Sequence, residues 1–228
     1  MNIHAFSLAS VRLHALGSGA LHWPDRDLLV VSDLHLGKSE RMARRGGALL
    51  PPYETRDTLA RLEADLQTTG AASVICLGDS FDDADAVLEE AERLWLTRLM
   101  ANRDWTWVAG NHDPTPMDLG GAHLEDLVLP PLAFRHVASG TGNEVSGHYH
   151  PKARLAGTAR PCFLVDGRHI IMPAYGTYTG GLWCSDPALT ALMAPDAIAI
   201  LTGARPIAVP MRPSAAAARG DGPPRRRA

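Results

Sequence analysis

The sequence predicts an α/β fold in two halves, a sheet flanked by helices followed by a second sheet of short strands. Two observations carry this. Three short apolar runs alternate with two stretches of helical periodicity in the first half. Beyond them, short apolar runs are split by Gly, Pro and Asp.

Val11-Arg12-Leu13-His14-Ala15 alternates apolar and polar, Gly17-Ser18-Gly19 turns the chain, and Ala20-Leu21-His22-Trp23 returns, which reads as a hairpin. Leu28-Leu29-Val30-Val31 is continuously apolar, as in a strand buried on both faces. After Pro51-Pro52, Leu59, Leu62 and Leu66 recur at helical spacing within residues 53–69, and Gly70 is a stop signal. Ser73-Val74-Ile75-Cys76-Leu77 is a second buried strand. Residues 85–100 form a second helix, with Val87, Leu88, Ala91, Leu94, Trp95 and Leu99 expected on its buried side. Trp105-Thr106-Trp107-Val108-Ala109 is a third strand. Further strands are expected near 132–137, 144–146, 153–156, 162–165, 169–172, 197–201 and 207–209, with a turn at Asp166-Gly167. Residues 1–212 are expected to form one domain. Residues 213–228 lack any apolar period and should be a disordered, Arg-containing tail.

Composition sets the remaining bounds. With 46% hydrophobic and 21% charged residues, a 228-residue chain can bury one large core. The net charge of −3 is uneven: residues 212–228 carry five Arg against Asp221, which leaves the body near −7. An acidic body is a poor start for holding a polyanion by surface charge alone. Bound cations would change that field locally. Three cysteines without a Cys-x-x-Cys pair fit a reducing cytoplasm. No stretch reaches the ~20 apolar residues of a membrane span. Arg12 and His14 interrupt the N-terminal apolar residues, so no signal peptide is expected and the protein reads as cytoplasmic.

Chemistry gathers where the apolar runs end. Val31 leads into Ser32-Asp33-Leu34-His35, Leu77 into Gly78-Asp79-Ser80-Phe81-Asp82, and Ala109 into Gly110-Asn111-His112-Asp113. In open α/β sheets the carboxyl ends of the strands form the ligand crevice, so these three clusters should converge. Singly, each is also consistent with an ordinary turn after a strand. The donor types suit divalent Mn, Fe, Zn or Mg, and no thiolate is on offer. His148-Tyr149-His150 and His136 supply further nitrogens, and the first two imidazoles would point the same way in an extended segment.

Asp-x-His, Gly-Asp, Gly-Asn-His-Asp and Gly-His-x-His, in that order after strands, resemble the calcineurin-like metallophosphoesterase superfamily. The match spans residues 33–150. Further segments resemble the bacterial ligase-associated DNA damage response endonucleases of the PdeM group. They are Asp33-Leu34-His35-Leu36-Gly37-Lys38, Arg45-Gly46-Gly47, Leu50-Pro51, Tyr53-Glu54-Thr55, Thr58-Leu59-x-Arg61-Leu62 and residues 173–182. The resemblance implies a four-layer α-β-β-α sandwich of two mixed sheets, with two metal ions, foremost Mn²⁺, at one edge. Asp33, His35 and His150 would hold one ion, Asn111, His136 and His148 the other, and Asp79 would bridge them. A hydroxide shared by the ions would then attack the phosphodiester. His112 would face the scissile phosphate as donor or acid, oriented by Asp113.

The resemblance further implies a nuclease acting on single-stranded or structured DNA in repair, functionally associated with a DNA ligase, an exonuclease and a helicase, and compatible with a homodimer. A small-molecule phosphodiesterase or nucleotide pyrophosphatase would use the same site, and a scaffold that had lost catalysis should have lost ligands. Lys38, Tyr53 and Asp82 are candidate substrate contacts. Asp82 stands where many relatives have histidine. As an ionised group facing the phosphate it would oppose an approaching diester and favour activated esters over DNA.

Overall fold

The computed structural model describes residues 2–44, 46, 51, 53–83, 88–112 and 119–212, with the backbone alone at 43 and 44. The expected tail, residues 213–228, lies outside the described residues.

Seven strands form the first sheet in chain order: β1 (Ile3–Leu8), β2 (Val11–Leu16), β3 (Leu21–Trp23), β4 (Leu28–Val31), β5 (Ser73–Leu77), β6 (Asp104–Val108) and β7 (Ala122–Leu124). The first four pair antiparallel, and β4 to β7 run parallel. Parallel neighbours need crossovers. Three helices lie between them in sequence, α1 (Lys38–Arg44) and α2 (Glu54–Thr69) between β4 and β5, and α3 (Glu90–Met100) between β5 and β6.

The second sheet holds β8 (Asp126–Leu129), β9 (Leu132–Arg135), β10 (Glu144–Ser146), β11 (Lys152–Leu155), β12 (Thr158–Val165), β13 (His169–Ile171), β14 (Ile198–Leu201) and β15 (Ile207–Pro210). Its order is β15-β14-β12-β13-β10-β9-β8, with β11 against β12. β10 runs parallel to both its neighbours, so this sheet is mixed as well. A short helix, α4 (Pro187–Leu192), is capped by Asp186, whose carboxylate accepts the Ala188 amide.

Side-chain alternation sorts the buried residues into three apolar layers. Leu29, Val31, Val74, Cys76 and Trp107 face one way and meet Leu59, Leu62 and Leu66 of α2 and Leu96 and Leu99 of α3. Leu28, Val30, Ile75 and Leu77 face the other way and meet Phe134, Val145, Phe163 and Ile170 of the second sheet. Cys162, Leu164, Ile171 and Leu201 turn outward onto Leu189 and Met193 beside α4. Helices, sheet, sheet and helix thus make four layers.

The buried face of α3 differs from the expected one. Ala91 and Leu94 are exposed, and Glu92, Leu96, Leu99 and Met100 face inward, with Leu88 buried just before the helix. A capping box between Glu89 and Glu92 fixes the start of the helix at Glu90, so it is shorter than the expected 85–100. The expected Val87 lies outside the described residues. β1, β7, β8, α1 and α4 are elements the apolar pattern did not announce. β7 is wholly exposed, so its residues carry no burial signal.

Phe134 is almost fully buried between the two sheets. Phe134→Ala should lower the unfolding free energy by about 3–5 kcal/mol, read from denaturant midpoints. A loss under ~1 kcal/mol would mean that the inter-sheet layer is not packed as described.

Candidate metal centre

The parallel register aligns the ends of β4, β5 and β6, with Val31 opposite Cys76 and Leu77 opposite Val108. The polar residues that follow therefore emerge along one edge. Backbone hydrogen bonds lock them there: Asp33 N donates to Gly78 O, His35 N to Asp79 O and Leu36 N to Ser80 O.

The second sheet closes onto this edge through Asp33. That carboxylate is fully buried and accepts from the Ser32 hydroxyl and from the His148 amide at 3.0 Å. His150 Nε2 stands 3.0 Å from its Oδ1. Two glycines permit the approach. A Cβ on Gly147 would lie 1.8 Å from Ser32 Oγ, and one on Gly78 would lie 2.4 Å from the His136 ring. Gly78 also has φ +70°, a backbone region that favours glycine.

Two sets of donors result. Asp33, His35 and His150 form one, Asp79, His136 and His148 the other, and within each set one donor atom per residue lies within 4.8 Å of the rest. Asn111 Oδ1 joins the second set, 2.9 Å from His136 Nε2. All seven expected ligands are thus brought together. The donors also fit a cation. Both ring nitrogens of His35 and Nε2 of His150 are buried without a hydrogen bond, although His35 Nδ1 is close to Asp82 and His150 Nε2 to Asp33. Lone pairs so placed would be costly unless something electropositive satisfies them.

Backbone strain concentrates at the same place. Asp33, His35, Asp79, His148 and His150 all have φ between +45° and +69°. Such conformations cost of order 1–3 kcal/mol each outside glycine and persist only where the surroundings enforce them. The segment 148–150 is therefore not extended, and its two imidazoles serve different sets.

Electrostatics divides the imidazoles. Burial opposes charge on His136, but the carboxylates of Asp79 and Asp33 outweigh it and raise its pKa. Burial and the neighbouring His136 lower that of His148. Burial would raise the Asp79 carboxyl, yet the His136 contact and the His112 amide bring it down to about 2. Asp79 is thus an anion at neutral pH.

His112 is exposed, its amide donates to Asp79 Oδ1 at 2.8 Å, and its Nδ1 lies 3.1 Å from the carbonyl of Asp82. With Nδ1–H donating there, Nε2 is left free toward the open side. Asp113 lies outside the described residues.

Asp82 takes a different place from the expected one. Its side chain is 1% exposed, its Oδ1 lies 3.0 Å from His35 Nδ1, and its Oδ2 accepts from Arg41. A carboxylate so engaged does not present an open negative charge to substrate. It favours the proton on Nδ1 of His35 and so turns the Nε2 lone pair outward to the donor set. Arg41 was not singled out from the sequence, and its position on α1, itself unforeseen, is what brings it there.

The motif residues around Glu54 also find a purpose. Glu54 accepts from the amide and hydroxyl of Ser39, and Thr55 accepts from the Gly37 amide, so α2 holds the turn that follows His35. The segment at 173–182 crosses beneath the site, with Tyr175 N donating to Ser32 O and Gly176 N to Asp33 O. Lys38 begins α1, and Tyr53 is 64% exposed at the start of α2. Neither makes a described contact with the donor sets.

Paired donor sets at the carboxyl edge of a mixed α/β sandwich define a two-metal site. The Calcineurin-like phosphoesterase family model matches residues 27–203, and the chain belongs to that family. The class is metal-dependent and hydrolyses phosphate esters. Among solved structures, Pseudomonas putida nuclease MPE is similar at 30% identity and TM-score 0.72, over 90% of this chain and 100% of that one. The phosphoesterase Yfce from E. coli aligns over 81% of this chain and 99% of that one, at 15% identity and TM-score 0.40. No sequence among the curated proteins matches.

Asp82→Asn should weaken divalent metal affinity by about 10–100-fold, measured by competition with a chelating dye. Unchanged affinity would remove Asp82 from the support of His35.

Proposed function

We propose that the protein is a Mn²⁺-dependent nuclease that cleaves single-stranded or structured DNA in repair. One observation carries the reading: seven donors converge in two sets on the buried carboxylates of Asp33 and Asp79. Support for a nucleic-acid substrate comes from the likeness to the P. putida nuclease along that chain's whole length.

On this reading Asp33, His35 and His150 hold one ion, Asn111, His136 and His148 hold the other, and Asp79 reaches both. When bound, such ions activate water as a nucleophile and neutralise charge on the phosphoryl oxygens. The protein's own groups do the rest. Asp82 and Arg41 fix the ring of His35, and the Asp79–amide contact fixes the backbone at His112. His112, anchored through Nδ1, turns Nε2 to the phosphate, where its protonated form donates to a non-bridging oxygen or to the departing alkoxide. A DNA diester leaves as a poor alkoxide and gains most from that proton.

Purified protein with Mn²⁺ should cleave single-stranded DNA faster than duplex DNA or a panel of mononucleotide diesters. Cleavage confined to the mononucleotides would replace the nuclease reading with a small-molecule phosphodiesterase.

Two substitutions separate holding metal from chemistry. His112→Ala should retain metal and lose turnover by roughly 10²–10⁴. His148→Ala should lose one ion per chain by elemental analysis. Equal metal loss in both variants would contradict the division of roles.

A further inference from the structure

A line of cations leaves the metal centre along β11. His150 and Lys152 both line a cavity of about 150 Å³. Arg154 follows Lys152 by two residues, so along the strand it lies on the same face. Segment 182–184 runs alongside, with Lys152 N donating to Leu182 O and Cys184 N to Lys152 O. This sets Trp183 beside Lys152.

What holds these cations is an indole. Lys152 Nζ lies 4.8 Å and the Arg154 guanidinium 5.0 Å from the centre of the Trp183 ring. Among the described residues neither makes an ion pair with a carboxylate, whereas Arg41, Arg56, Arg61 and Arg98 all do. A carboxylate would cancel the charge it positions. A ring positions the charge and leaves it whole. In a body whose net charge is near −7, two uncancelled cations on one strand face beside His150 form a local field that attracts a polyanion.

The cavity shares Pro161, Ala174 and Thr179 with a larger cleft of about 890 Å³.

We propose that Lys152 and Arg154, held by Trp183, form a track for the backbone phosphates of a single-stranded polynucleotide flanking the scissile bond. The proposal rests on the nuclease reading for the scissile step, but the track itself binds without metal.

The test is fluorescence anisotropy of a labelled thymidine dodecamer in EDTA, where cleavage does not proceed, across a salt series with the full chain. Each lost phosphate contact should reduce the slope of log K against log salt by about 0.7. Lys152→Ala and Arg154→Ala should each show this, with affinity down about threefold or more. Trp183→Ala should weaken binding, and Trp183→Phe, which keeps a ring, should recover most of it. Arg98→Ala, on α3, should behave as wild type. Unchanged slopes in both cation variants, or an equal loss in Arg98→Ala, would overturn the track. The same oligomer incubated with Mn²⁺ separates the two ideas. Cleavage by wild type with unchanged slopes in the variants defeats the track alone, and altered slopes without cleavage leave the track standing and defeat the nuclease reading.

Discussion

Two carboxylates buried in a seam between two sheets are the constraint around which this molecule is arranged. Asp33 is fully buried and Asp79 nearly so, and four imidazoles crowd them. Burying such charge is expensive unless opposite charge and hydrogen bonds surround it. Asp33 is satisfied partly by the chain itself. The amide it accepts comes from the loop after β10, so the second sheet is pinned to the first by the same group that faces the metal set. Closure of the sandwich and assembly of the site are therefore one event.

The strained backbone follows from that constraint. Five of the seven donors sit at positive φ, where a non-glycine residue is disfavoured. Tight turns directly after strands are the short route by which a side chain can leave a sheet edge and bend back over it. The network that enforces them is extensive: Leu36 and His35 bond to the β5 loop, Gly37 and Ser39 to α2, and Tyr175 and Gly176 reach up from the crossing segment. Stability is given up at the donors and recovered in these surrounding bonds.

Much of this was legible in the residues. Asp33, Asp79 and Asn111 each follow an apolar strand by two or three positions, and a parallel sheet places all such positions on one edge. The strand Leu28–Val31 showed its double-sided burial as an unbroken apolar run. Other features left little trace. Asp82 reads as a polar residue in a loop, and only the fold brings Arg41 and His35 against it. The inward face of α3 is hard to read because Leu94 and Leu96 are equally apolar, and the cap that starts the helix at Glu90 is a pair of glutamates. Lys152 and Trp183 are distant in sequence, and only the pairing of their segments joins them.

The central claim is that the two donor sets hold two ions sharing Asp79. Diffraction from crystals soaked in Mn²⁺, recorded at the manganese absorption edge, tests it most directly. Two anomalous peaks about 3.5–4 Å apart are predicted. One should lie among Asp33, His35 and His150, the other among Asn111, His136 and His148, with Asp79 within coordination distance of both. A single peak, or peaks away from these residues, would contradict the account.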